Sequence, residues 1–266
     1  MFARTVGQVR IDEIRRQQIV DFISLLRSPD RNGKKRSMST MNRIKSTFRS
    51  FFAWAFRSGI VRYDYAGFIY LGKARSRPTI PMTLAEVRQF LSTIRVSGDK
   101  NKLRDETLFS IYAFTGLRRS EVVRLQIVDY DPVENKILAA RTKGGEPRIH
   151  PVPSLLSDIL NQWIHERHGN MLNVQDGPLF PGQHINHPIT ARQAQYLFIK
   201  WKLQSGIRKI LTIHSFRSFF ATSLYEVTKD LLLVSRALGH QDIRTTARYI
   251  DMDTMYMDNV IEMVFS

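Results

Sequence analysis

The sequence predicts an α+β protein: a short all-helical N-terminal domain, then a larger, mainly helical domain with a small antiparallel β-sheet. Three observations lead there. Apolar residues recur at helical spacing over most of the 266 residues. One β-prone stretch, Lys136–Val152, turns back on itself around Gly144-Gly145. A basic break with two prolines, Gly72–Pro81, separates two segments that can each bury a core.

Residues 11–29 place Ile11, Ile14, Ile19, Val20, Phe22, Ile23, Leu25 and Leu26 at roughly helical spacing, with Arg15, Arg16 and Asp21 between them, which predicts a core-facing helix. Asp30–Arg36 is a polar, basic connector. Ser37-Met38-Ser39-Thr40 then caps a second helix running through Phe51, Trp54 and Phe56. Arg43, Lys45 and Arg49 are spaced along it, either as phosphate contacts or as a solvated basic face. Gly72–Pro81 reads as an interdomain linker, which divides the chain into residues 1–76 and 77–266. Beyond it, Thr83-Leu84-Ala85-Glu86 matches a capping box. Residues 104–125 predict a helix pair around Thr115-Gly116, and Ile137–Thr142 and Arg148–Val152 predict a hairpin. Helical periodicity returns over Leu155–Ile164, Ala191–Leu203, His214–Val227 and Leu231–Leu238.

Lys plus Arg outnumber Asp plus Glu by 40 to 24, for a net charge of +16 and a pI near 10.3, so a polyanion is the expected partner. The excess is concentrated at the start, where residues 1–75 hold 16 basic and 5 acidic side chains. The absence of cysteine excludes disulfides and Cys-based zinc sites. No apolar run approaches the ~20 residues of a membrane span, and the N-terminus has no signal-peptide stretch, so a cytoplasmic protein with no membrane association is expected.

Several polar residues carry chemistry. At a helix start, Arg118 and Glu121 share a face at i and i+3, so the carboxylate can hold the guanidinium while its outer edge grips a phosphate; a surface ion pair is the alternative. Lys143, at or beside the hairpin tip, can reach a bound duplex and donate a proton to a departing oxygen, or merely solubilise the turn. His214 and Arg217, also i and i+3, set an imidazole beside a guanidinium. His240 follows the helix-ending Gly239, and nine residues later comes Tyr249, a suitable nucleophile for a phosphate and equally a residue that packs half-buried on a helix.

These motifs in this order resemble the tyrosine recombinase (phage integrase) family, and its Xer-like members in particular. Arg118 with Glu121 matches the first arginine motif, Lys143 the hairpin lysine, His214-x-x-Arg217 the HxxR box, His240 the Leu-Gly-His motif and Tyr249 the nucleophile. The likeness is strong over residues 80–251, and Ser37–Thr40 with Phe51–Ala55 resembles part of the family's helical core-binding domain. That domain usually begins some tens of residues earlier in relatives, so residues 1–76 are expected to be either a shortened version or the remainder of a truncated one, and Ser218-Phe219-Phe220 stands where relatives often have His-Thr-Phe.

The resemblance implies a site-specific recombinase that clamps double-stranded DNA between a DNA-binding domain and a catalytic domain. Tyr249 would attack the scissile phosphate to leave a 3′-phosphotyrosyl link and a 5′-hydroxyl. Arg118, Arg217 and His214 would stabilise the phosphorane, His240 would support the phosphate, Lys143 would protonate the 5′ oxygen, and Glu121 would orient Arg118. No cofactor and no metal are implied. Partners would be a specific recombination site, three further copies in a homotetrameric synapse, and an accessory protein or partner recombinase. The alternative is a DNA-binding regulator that keeps the fold and no longer cuts. Metal-dependent hydrolysis through His184 and His187 is a weaker reading, because no carboxylate lies near them in sequence.

Overall fold

The structure, a computed structural model, describes residues 2, 7, 9–29, 33–73, 80–139, 147–168, 177–182, 184, 186–240 and 244–247. The chain divides into two compact units, Met1–Arg77 and Pro78–Ser266. The mainly helical architecture with a small antiparallel sheet is the one the sequence predicts.

The first unit is built on α1 (Arg16–Leu25) and α2 (Met38–Arg57). Instead of one helix over 11–29, Ile11–Glu13 forms a 3-10 turn, and Ile14 and Arg15 are extended before α1 begins. Tertiary structure causes the break: Ile14 is buried and its carbonyl accepts from the Tyr65 hydroxyl at 2.7 Å, a bond that replaces one within a helix. Ser37 caps α2 by accepting from the Thr40 N–H at 3.2 Å, an interaction that contributes about 1 kcal/mol. Ile19, Phe52, Ala55, Val61, Tyr65 and Ile69 form the core, with Phe22 and Phe48 stacked beside it at 4.9 Å. Asn42 pins the returning chain, donating to the Gly72 carbonyl and accepting from its N–H.

In the second unit, α3 (Leu84–Arg95) opens with the expected reciprocal capping box of Thr83 and Glu86. Next come α4 (Lys102–Thr115), the single-turn α5 (Arg119–Val122), and strands β1 (Tyr130–Asp131), β2 (Lys136–Ala139) and β3 (Arg148–Pro151) in the order β1-β2-β3. The pairs Ile137↔His150 and Ala139↔Arg148 set the β2–β3 register. The remaining helices are α6 (Ser154–His168), α7 (Ala191–Gln204), α8 (His214–Thr228), α9 (Leu231–Leu238) and α10 (Arg244–Ala247).

Helix α4 is buried from Asp105 to Ala113, so it forms the axis of this unit. Phe90, Phe109, Phe198 and Phe216 bring α3, α4, α7 and α8 together in one aromatic cluster, with rings 5.0 to 6.3 Å apart. The buried Asp105 is satisfied by Arg104 and by the Trp201 indole N–H at 2.8 Å. None of the described helices is long and apolar enough to cross a membrane.

Candidate active site

Two helix ends define the site. Helix α4 stops at Gly116, whose φ of +63° lets the chain turn sharply where a side chain would strike Phe220. Two residues later Arg118 caps α5, its backbone N–H reaching Glu121 Oε2 at 2.8 Å and its Nη1 reaching Oε1 at 2.9 Å. Helix α9 stops at Gly239, φ +62°, and its terminal carbonyls point back at the same place.

Arginines from three segments converge on these ends. Arg118 Nη2 donates to the Gly239 carbonyl at 3.2 Å. Arg217, on the first turn of α8 and buried, donates through Nη1 to the Gly116 carbonyl and through Nη2 to Leu238 at 2.8 Å. Arg148, from β3, donates to the Leu238 carbonyl and to Glu121 Oε1 at 3.0 Å. Helix C-termini concentrate negative partial charge, so the α4 and α9 ends stabilise guanidiniums packed against them. Burial works against the Glu121 charge, but the Arg118 N–H and guanidinium, with Arg148, hold its carboxyl below the usual range.

Burial and the same cluster lower the pKa values of the imidazoles. Burial, then Arg217, Arg118, Arg148 and His214, pushes His240 down to about 4. Withdrawal from solvent, then Arg217, Arg118 and Arg119, lowers His214, which still opens to the surface at the start of α8. His240 is fully engaged, with Arg217 Nη2 at 2.9 Å from Nε2 and the Thr246 hydroxyl at 2.7 Å from Nδ1. In this arrangement the imidazole bridges Arg217 and Thr246.

Arg118, Glu121, His214, Arg217 and His240 thus come together within the second unit. Lys143 and Tyr249 lie outside the described residues. In the first unit Arg43 and Arg49 are exposed on α2, whereas Lys45 departs from the expected phosphate contact: it is buried, and its ammonium donates to the Tyr70 carbonyl at 3.1 Å. His184 and His187 stand edge to face at 6.2 Å, and among the described residues no three metal-ligating side chains form a group able to hold a metal.

Sequence reasoning missed Arg148 and His150. His150 is 4% exposed, and its Nε2 has no hydrogen-bond partner among the described residues. Burial, then Arg148, lowers its pKa to about 4, with Arg217 adding to the shift and Glu121 and the Thr115 backbone opposing it. The signal lay in the strand's alternation. Polar Arg148 and His150 point inward while Ile149 between them is 65% exposed, the reverse of an ordinary half-buried strand.

Residues 81–255 match the Phage integrase family model. Tyrosine recombinase XerD of Ralstonia nicotianae (strain ATCC BAA-1114 / GMI1000) is 30% identical over 213 residues, covering 79% of this chain and 68% of that protein. Tyrosine recombinase XerC of Xylella fastidiosa (strain M23) is 28% identical over 260 residues, covering 96% and 84%. In fold, the chain is similar to XerH site-specific recombinase bound to palindromic difH substrate in a post-cleavage complex, with a TM-score of 0.71, 22% identity, and 96% and 74% coverage. It is likewise similar to the Tn1549 transposon integrase in complex with transposon right end DNA, with a TM-score of 0.72, 22% identity, and 100% and 91% coverage.

Proposed function

This chain belongs to the phage integrase family of tyrosine recombinases, and from that premise we propose that it is a site-specific DNA recombinase that breaks and rejoins strands through a 3′-phosphotyrosyl intermediate. The observation that carries the reading is the charge balance of the site. Glu121 is paired with two guanidiniums, Arg118 and Arg148, and a third, Arg217, is held by the Gly116 and Leu238 carbonyls, while the pKa values of His150 and His240 are lowered to about 4. A phosphodiester brings one negative charge, and the phosphorane formed by phenolate attack has two. A site with more guanidiniums than carboxylates favours the doubly charged phosphorane over the diester, which is the condition for lowering a barrier and not merely for binding.

In this reaction the Tyr249 phenol gives up its proton to solvent, its oxygen forms a bond to phosphorus as the bond to the 5′ oxygen breaks, and Lys143 delivers the proton that makes the leaving group a hydroxyl. Arg118 and Arg217 hold the non-bridging oxygens, His214 donates alongside them, Glu121 orients Arg118, and His240 steadies Arg217. The energy of the broken diester is kept in the phosphotyrosyl ester, and the 5′-hydroxyl of another strand reverses the step. Strand exchange in pairs calls for a homotetramer on two DNA sites. Arg43 and Arg49 on α2 add phosphate contacts to the duplex.

The test is to incubate the protein with supercoiled plasmid carrying the DNA that flanks its own gene, and to look after SDS denaturation for a protein–DNA adduct. The expected result is an adduct that forms in chelator and disappears in Tyr249→Phe, with DNA binding retained. Salt-sensitive binding with no adduct from the wild type would favour the non-cleaving regulator.

A further inference from the structure

We propose that Arg148 is a positioning residue for strand cleavage, one that fixes the Arg118 guanidinium by closing a ring of charge-assisted bonds between β3, α5 and the end of α9. This rests on the reading of the site as a phosphotyrosyl-forming one. Arg148 Nη2 and Arg118 Nη1 meet the same oxygen, Glu121 Oε1, at 3.0 and 2.9 Å. On their other sides the two guanidiniums take adjacent carbonyls of one chain turn, Arg148 that of Leu238 and Arg118 that of Gly239. Glu121, Arg148, Leu238-Gly239 and Arg118 are therefore linked head to tail.

The ring explains Gly239 as well. Its left-handed φ strains any side chain, and a Cβ there would in addition fall on the Arg148 guanidinium. Arg148 thus lies flat against the turn that leads into His240, the residue bonded to Arg217. Arg148 is the more buried of the two guanidiniums, so its influence on a phosphate passes through Arg118 and the α9 end. Arg118, with 27% of its side chain exposed against 18% for Arg148, is the member of the pair that faces outward.

Without Arg148, Glu121 keeps one guanidinium in place of two and the Leu238 carbonyl loses a donor. Arg118 is then free to turn toward Glu121 and away from the phosphate. The loss falls on the chemical step, because a guanidinium that swings still attracts DNA but no longer meets the developing charge at a fixed distance.

The experiment compares Arg148→Gln and Arg148→Lys with the wild type in four readouts: adduct formation on a nicked site at saturating DNA, DNA affinity by gel shift, melting temperature, and the Arg118 Nε–H resonance in ¹⁵N-labelled protein without DNA. Arg148→Gln should slow adduct formation about 10- to 100-fold while affinity stays within about threefold, and Arg148→Lys, which keeps the charge, should recover part of the rate. The Arg118 resonance should broaden or shift in Arg148→Gln and return toward its original position in Arg148→Lys. A wild-type rate in Arg148→Gln overturns the proposal. So does a fall in rate, affinity and melting temperature by the same measure in both variants, since that marks a merely structural residue. If the wild type forms no adduct, the proposed function fails on its own account and the Arg118 resonance still decides: unchanged in Arg148→Gln it overturns the ring, changed and restored by lysine it supports it.

Discussion

Arg217 Nη2 lies 2.9 Å from His240 Nε2, and because a guanidinium only donates, the imidazole accepts there and keeps its proton on Nδ1 for the Thr246 hydroxyl. The ring is therefore an acceptor that fixes Arg217, in keeping with its lowered pKa. His240→Leu removes the acceptor and should slow adduct formation about 10- to 100-fold with DNA affinity little changed, while His240→Gln restores part of the rate. Single-turnover cleavage at saturating DNA measures it, and equal rates for all three proteins would show the bond to be dispensable.

Glu121 supports two guanidiniums with a side chain that is 2% exposed. Glu121→Gln leaves Arg118 and Arg148 facing each other without a countercharge, which should cost about 3–5 kcal/mol of stability. A urea denaturation midpoint equal to that of the wild type would contradict this.

His150 makes stability pH-dependent. Its pKa in the fold, about 4, lies below the ordinary 6.5, so the unfolded chain takes up the proton first. The native state is favoured in full above pH ~6.5 and loses this contribution as pH falls toward ~4, about 2 kcal/mol of it between pH ~7 and ~5. Lowered values at His240 and His214 act in the same direction. His150→Gln should flatten the urea-derived stability profile over this window by its own share; an unchanged slope would refute the assignment.

The basic residues of α2 should separate by burial. Arg43→Ala and Arg49→Ala, at exposed positions, should each weaken DNA binding and reduce the slope of log affinity against log salt by about 1. Lys45→Met should leave the slope intact and lower the melting temperature, because the Tyr70 carbonyl loses its donor. A slope that falls equally in all three would place Lys45 on the DNA after all.

Much of the architecture was legible because helices announce their own ends. Ser37, Thr83 and Gly239 cap helices where the sequence places them. The i, i+3 spacing of Arg118 and Glu121 became a real pair because Gly116 stops α4 just before them. The rest depended on tertiary contacts that no local pattern encodes. Residues 11–29 split because Tyr65, far along the chain, claims the Ile14 carbonyl. Lys45 turned inward because Tyr70 returns beside α2 with an acceptor to satisfy. At Arg148 and His150 the trace in the sequence is a polar and apolar alternation over four residues, too short by itself to tell which face meets the arginines.

The acceptors that hold Arg217 and Arg148 at the α9 end, and Arg217 at the α4 end, are main-chain carbonyls of Leu238 and Gly116. Every amino acid supplies such an oxygen, so genetic drift at position 238 cannot delete the acceptor, only displace it. Heritable damage to this half of the site must come through backbone shape, at Gly116 and Gly239, or through the arginines themselves. The cradle is in that sense buffered against most single-codon changes and exposed to a few, and a saturation library should show intolerance concentrated at the two glycines and broad acceptance of apolar residues at Leu238.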